Sequence, residues 1–149
     1  MKILFYETMI LKSNHTPSAL LNILNENIEK RKKFFIFDTK HAPFKGSISG
    51  NKFKIYRIIH YQNSFLPFVY GEIISNNFES KIILKISMRV GQYLFIILWY
   101  ILAFSIIFSN IEKFDFWFLY SMIFLFIPLF AFWFEVKKFK KIFLKLVGA

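Results

Sequence analysis

The chain has 149 residues, 56% of them hydrophobic and 21% aromatic with 22 phenylalanines, and its 20 Lys+Arg against 9 Asp+Glu give a net charge of +11. Disorder is excluded, because it requires low hydrophobicity, and a soluble domain of this length has no interior large enough for so much apolar surface, so a bilayer must take part of it. The absence of cysteine excludes disulfides, thiolate metal sites and cysteine nucleophiles.

From Met1 to Leu11 the residues alternate, with Ile3, Phe5, Met9 and Leu11 on one face and Lys2, Tyr6, Thr8 and Lys12 on the other. Period two predicts a half-buried strand, interrupted on its apolar face by Glu7. This start does not read as a signal peptide, since Glu7 breaks the apolar run and no small-residue cleavage site follows. Thr16 predicts the cap of a helix with Pro17 in its first position, running through Leu20, Leu21, Leu24 and Ile28 to about Glu29. The run Lys30-Arg31-Lys32-Lys33 then reads as a solvated turn that complements the helix dipole, or as a patch for anionic lipid headgroups.

Strands are predicted at Phe34–Phe37, Phe44–Ser49, Lys52–His60, Pro67–Ser75 and Lys81–Met88. Gly50-Asn51 supplies a tight hairpin turn, and residues 76–80 a second. In the last strand Ile82, Leu84, Ile86 and Met88 face one way, and Lys81, Lys85 and Ser87 the other. Residues 1–89 therefore read as a cytoplasmic α+β domain, a small, mainly antiparallel sheet with one covering helix.

Val90 to Ile111 and Phe116 to Phe134 carry no charged residue. Each is long enough, at 1.5 Å per residue, to cross about 30 Å of hydrocarbon. The sequence thus predicts a two-helix transmembrane hairpin over 90–134, with spans at 90–111 and 116–134 and Glu112-Lys113-Phe114-Asp115 as the connection. Pro128 is tolerable inside a span. Tyr93, Trp117, Tyr120 and Trp133 suit the interfaces, whereas Trp99 and Tyr100 lie deeper, where their polar atoms favour a protein neighbour. Residues 1–89 carry net +8, the connection −1 and the tail from Glu135 +4. Basic flanks stay inside, which predicts a multi-pass bacterial inner-membrane protein with both termini cytoplasmic.

In the tail, 135–149, Val136, Phe139, Ile142, Phe143, Leu146 and Val147 recur on one helical face, and Lys137, Lys138, Lys140, Lys141 and Lys145 fill most of the rest. A basic amphipathic helix of this kind lies in the membrane interface with its lysines binding the lipid surface. Alternatively the helix continues out of the second span and packs on the sheet.

The strand region reads Phe44-Lys45-Gly46, Phe53-Lys54-Ile55-Tyr56-Arg57-Ile58-Ile59, Asn63-Ser64-Phe65-Leu66-Pro67 and Gly71-Glu72-Ile73, followed by the apolar segments. It resembles a group of uncharacterised bacterial two-span membrane proteins with an F-x-I-x-R-x-I, N-S-F-x-P and G-x-I pattern, over about two thirds of the chain. The resemblance implies an architecture and no stated activity. A weaker likeness is to bacterial pleckstrin-homology-like membrane domains, from which the early helix departs.

Candidate chemistry is sparse. Asp38 and His41 stand three residues apart, as a catalytic pair or half a metal site would, or as an ordinary loop; no second cluster of His, Asp or Glu accompanies them. There is no phosphate-binding glycine loop, no G-x-S-x-G and no H-E-x-x-H, so no catalytic, cofactor or metal residue is assigned. Asn14-His15-Thr16 matches a glycosylation pattern that a cytoplasmic region would not expose. Arg57 shares a strand face with Phe53, Ile55 and Ile59 and needs a partner there; Glu72 is the candidate for a buried ion pair.

The expected function is a non-enzymatic, membrane-anchored binding or assembly component. Its partners would be anionic membrane lipids, a second copy of itself or another membrane protein. The basic charge is explained by topology and lipid rather than nucleic acid. A membrane-embedded enzyme acting on a lipid or membrane-proximal substrate, and an immunity-type protective protein, are the alternatives.

Overall fold

The computed structural model describes residues 1–30, 42–76, 79–109 and 116–148. The expected strand at Phe34–Phe37, most of the basic run, the Asp38–His41 pair and the Glu112–Asp115 connection lie outside them.

Seven strands form one sheet: β1 (Lys2–Ile3), β2 (Tyr6–Ser13), β3 (Ile28–Lys30), β4 (Phe44–Ser49), β5 (Lys52–Arg57), β6 (Phe68–Asn76) and β7 (Glu79–Ser87). Their spatial order is β1-β2-β7-β6-β5-β4-β3. Neighbours are antiparallel except β3, which pairs parallel with β4 through Ile28↔Phe44. The sheet is therefore mixed, not simply antiparallel. Helix α1 (Pro17–Asn27) carries the chain from the β2 side to the opposite edge, α2 (Val90–Ser109) leaves β7 after two residues, and α3 (Phe116–Val147) returns to the sheet.

Local signals explain most boundaries. Thr16 caps α1, its hydroxyl accepting from the Ala19 amide at 3.3 Å. The helix stops at Asn27, so Ile28 serves as a buried strand residue rather than as a fourth helical apolar position. Gly50, at φ 56°, makes the two-residue turn between β4 and β5 that its sequence predicts. The first strand differs: Leu4 has φ 28° and folds Ile3 back against Tyr6, so the expected single strand is the hairpin β1–β2.

The inner face of the sheet carries Phe44, Phe53, Ile55, Val69, Ile73, Ile82, Leu84 and Ile86, all buried. Two helices cover it. Leu20 and Leu24 come from α1, and Phe132, Val136, Phe139, Phe143 and Val147 come from α3. The α3 residues recur every three or four positions, the spacing of one helical face. Phe139 and Phe143 stack at 5.4 Å, and Phe143 stacks on Phe53 at 6.0 Å. Gly71 lies opposite Phe53 in the register, and a Cβ there would meet the Phe53 ring at 1.9 Å.

This packing corrects the expected fold class. There is no two-helix transmembrane hairpin followed by a separate amphipathic tail helix; among the described residues one helix, α2, is long and apolar enough to cross a membrane. Residues 116–134 and the tail are one continuous helix of 32 residues. Its packing on the domain begins before residue 134, with Leu129, Ala131, Phe132 and Trp133 joining the core. What remains, residues 116–128, is about 20 Å of helix, short of the roughly 30 Å hydrocarbon thickness. The apolar run was long because a domain core and an apolar stalk follow one another without a break. The multi-pass topology is not supported, since α2 is the one candidate span among the described residues.

The stalk consists of α2 and the first half of α3. Only 17% of α2's most apolar stretch is buried, and Leu94, Ile97, Leu98, Ile101, Leu102 and Phe104 are exposed. Pro128 sits inside α3. Lacking an N–H, it leaves the carbonyl of Phe124 without its helical partner. Trp99 of α2 supplies one: its indole N–H donates to that carbonyl at 3.1 Å, and its ring stacks on Phe124 at 4.0 Å. The deep Trp99 thus has the protein neighbour that its chemistry requires.

Candidate functional site at the junction of sheet and stalk

Two of the charges on the inner face of the sheet, Arg57 and Glu7, meet an opposite charge on α3. Arg57 of β5 reaches Glu135 through Nη2–Oε2 at 2.5 Å. Glu7 of β2 accepts from Lys140 Nζ at 2.5 Å. The polarities are opposite, so α3 fits the sheet in one direction and one register. Glu135 is fully buried. Burial alone would push its carboxyl up, but hydrogen bonds from Tyr61 and Arg57, the charge of Arg57 and a hydrogen bond from Asn63 outweigh it and hold the pKa below the usual carboxylate value. Tyr61 donates to Glu135 Oε1 and accepts from Arg57 at 2.5 Å, closing a three-residue ring of polar contacts.

The expected pair Arg57–Glu72 does not form. Glu72 lies across from Lys52 in the register and pairs with it at 3.6 Å on the outer face. Successive strand residues point to opposite faces. Arg57 and Phe53 share the inner face, whereas Glu72, next to the inward Gly71, points out.

The junction is braced by Gln92, which no charge or motif singled out. Its amide donates to the carbonyls of Ser64 and Leu66 at 2.6 and 3.2 Å and accepts from the Arg89 amide at 2.7 Å. It ties the Asn63-to-Pro67 turn to the first turn of α2. That turn is closed by Asn63 Oδ1 accepting from the Phe65 amide at 2.9 Å. Tyr93 donates to the Phe5 carbonyl at 3.3 Å, and Lys2 sits 3.9 Å over the Trp133 ring. A shallow groove between these parts is lined by Tyr61, Asn63, Phe65, Trp133, Phe134 and Lys137.

The five tail lysines divide. Lys137, Lys141 and Lys145 form an exposed stripe at spacing four. Lys138 lies 4.1 Å over Phe134, and Lys140 is taken by Glu7. Of the two placements expected for the apolar face, the membrane interface and the sheet, the structure has the second. Among the described residues no group of three or more His, Asp or Glu stands together.

The outer face of the sheet was missed as a site. Lys45, Lys54, Tyr56, Phe68 and Arg89 line a cleft of about 440 Å³ there. The signal was available in the alternation of β5, where Lys52, Lys54 and Tyr56 all face outward.

Comparisons with family models, with curated proteins and with solved structures find no match. They neither carry nor contradict the resemblances noted in the sequence.

Proposed function

We propose that the protein is a membrane-anchored, non-enzymatic binding component, held by α2 with its sheet domain against the cytoplasmic surface of a bacterial inner membrane. The single observation that carries this reading is the apolar, largely uncovered α2 joined to β7 by only Met88 and Arg89 and clamped by Gln92. An apolar helix inserted in the bilayer with that connection has no freedom to hold its domain away from the surface. The cations around the junction, among them Lys2, Arg89 and Lys137, favour the cytoplasmic side. Arg57 is engaged by Glu135 and braces the domain. A binding role for anionic lipid or for a second membrane protein fits the basic surface that remains.

The test is fractionation of the full chain expressed in a bacterium. The protein should stay in the membrane pellet through high-salt and alkaline carbonate washes. Replacing the exposed Ile97 and Ile101 by arginine should release it, since each charge near a helix centre costs about 2.5–3.5 kcal/mol of insertion. Release of the unmodified chain by salt alone would remove the anchor and the reading with it.

A further inference from the structure

The outer face of the sheet ends, at the foot of α2, in a row of cations mounted on aromatic rings. Lys45 pairs across the register with Tyr56, and Phe68 pairs with Ser87, two residues before Arg89. The Tyr56 and Phe68 rings lie 4.8 Å apart. The Arg89 guanidinium lies 3.8 Å over Phe68, and the Lys54 ammonium lies 4.9 Å from the Tyr70 ring and 5.5 Å from Phe68. Aromatic faces hold these long side chains in place without consuming their hydrogen-bond donors. Among the described residues, no carboxylate pairs with Lys45, Lys54 or Arg89, and the nearby Glu72 is engaged by Lys52. Three cations thus converge on one cleft that no acid lines; Glu29, across the register from Lys45, accepts from the Ala42 amide at 3.1 Å, and like charges gathered this way are relieved by an anion.

We propose that this cleft binds the phosphate of an anionic lipid headgroup, with Lys45, Lys54 and Arg89 as its donors and the acyl chains directed along α2. The inference rests on the anchoring role of α2, because only a bilayer at the foot of that helix brings a headgroup to this height. Position and chemistry favour lipid over nucleic acid. A sheet that binds single strands offers open aromatic faces for bases to stack on. Here Phe68 is only 6% exposed and lies under Arg89, so its face is already occupied. Arg89 sits immediately before Val90, the first residue of α2, which is where a headgroup phosphate would lie.

The experiment uses the full chain in nanodiscs of phosphatidylcholine containing a minority of phosphatidylglycerol, released into the gas phase for native mass spectrometry. Phosphatidylglycerol should be retained in preference to phosphatidylcholine. Lys54→Gln and Arg89→Gln should each lower that retention about fivefold, the effect of removing one cation close to an anionic surface. Lys54→Arg should restore it, and Lys141→Gln on the distant α3 stripe should leave it unchanged. The exposed positions of Lys54 and Arg89 keep the fold intact, which circular dichroism of each variant checks. Equal losses from Lys141→Gln and Lys54→Gln would replace the cleft by a general surface attraction and overturn the site. Displacement of the lipid by inorganic phosphate or a short single-stranded oligonucleotide at comparable concentration would overturn the lipid as occupant. Stable incorporation into discs of pure phosphatidylcholine keeps the anchor separate: a chain that incorporates but shows no phosphatidylglycerol preference loses the cleft alone, while one that fails to incorporate loses both.

Discussion

The two faces of the sheet carry charge in opposite ways. On the inner face Arg57 and Glu7 each meet an opposite charge on α3. On the outer face Lys45, Lys54 and Lys85 stand with aromatic neighbours and few acids. A buried charge must be paired or its desolvation is uncompensated, so the inner pairs act as pegs that fix where α3 sits. An exposed charge is solvated and has no such obligation, which leaves the outer cations available to an external anion. One sheet therefore uses the same residue types for assembly on one side and, in the proposed role, for binding on the other.

The sharpest way to break the contrast is to remove an inner peg. Glu135→Ala leaves Arg57 charged and uncompensated under α3, and stability should fall by about 3–5 kcal/mol, read from denaturant unfolding in mild detergent. The same residue sets an acid limit. Its folded pKa lies below its ordinary value of 4.5. Its stabilisation is therefore complete above that value and is lost as the pH falls below it, through the lowered folded pKa. Glu135→Gln should flatten this part of the acid unfolding profile; an unchanged profile would show that Glu135 does not carry it.

Intermediate in size is a change of shape without charge. Gly71→Ala drives a Cβ into the Phe53 ring, and overpacking of this kind costs about 1–3 kcal/mol. Thermal unfolding measures it, and a neutral outcome would mean that Phe53 is free to move off the strand. The smallest effect belongs to the outer face. Lys85→Gln should alter stability by no more than about 0.5 kcal/mol, because its side chain is exposed. A larger loss would mean that the outer cations are structural after all.

Much of the sheet was legible in the sequence because its signals are local. Gly50-Asn51 marks its own turn, Thr16-Pro17 its own helix start, and the inward set Ile82, Leu84, Ile86 and Met88 follows from alternation. The partner of Arg57 was not legible. The nearest acid along the strands, Glu72, points to the other face, and the true partner lies 78 residues away. The amphipathic pattern of Phe139 and Phe143 was visible, but a helical face does not say whether lipid or a sheet will cover it. The candidate span after residue 116 failed for the same reason. Phe132 and Trp133 read as membrane residues, and they belong to the junction. The cleft at Arg89 was missed because its residues come from β4, β5, β6 and the link from β7 to α2, and only strand register brings them together.

The far end of α3 has a consequence for how the protein is made. Ser13 donates to the carbonyl of Val147 at 2.9 Å, and Glu7 is met by Lys140; these contacts join residues 134 and 133 positions apart. During synthesis the strands from β1 to β7 emerge first, with the inner faces of Phe44 and Phe53 complete but uncovered. The residues that cover them follow about 45 to 60 positions later, which at 5–20 residues per second is a delay of several seconds. Through that interval the nascent sheet offers an apolar surface to any passing chain. In the proposed anchored role, holding the domain at the membrane during translation keeps that surface away from other half-made copies until α3 closes over it.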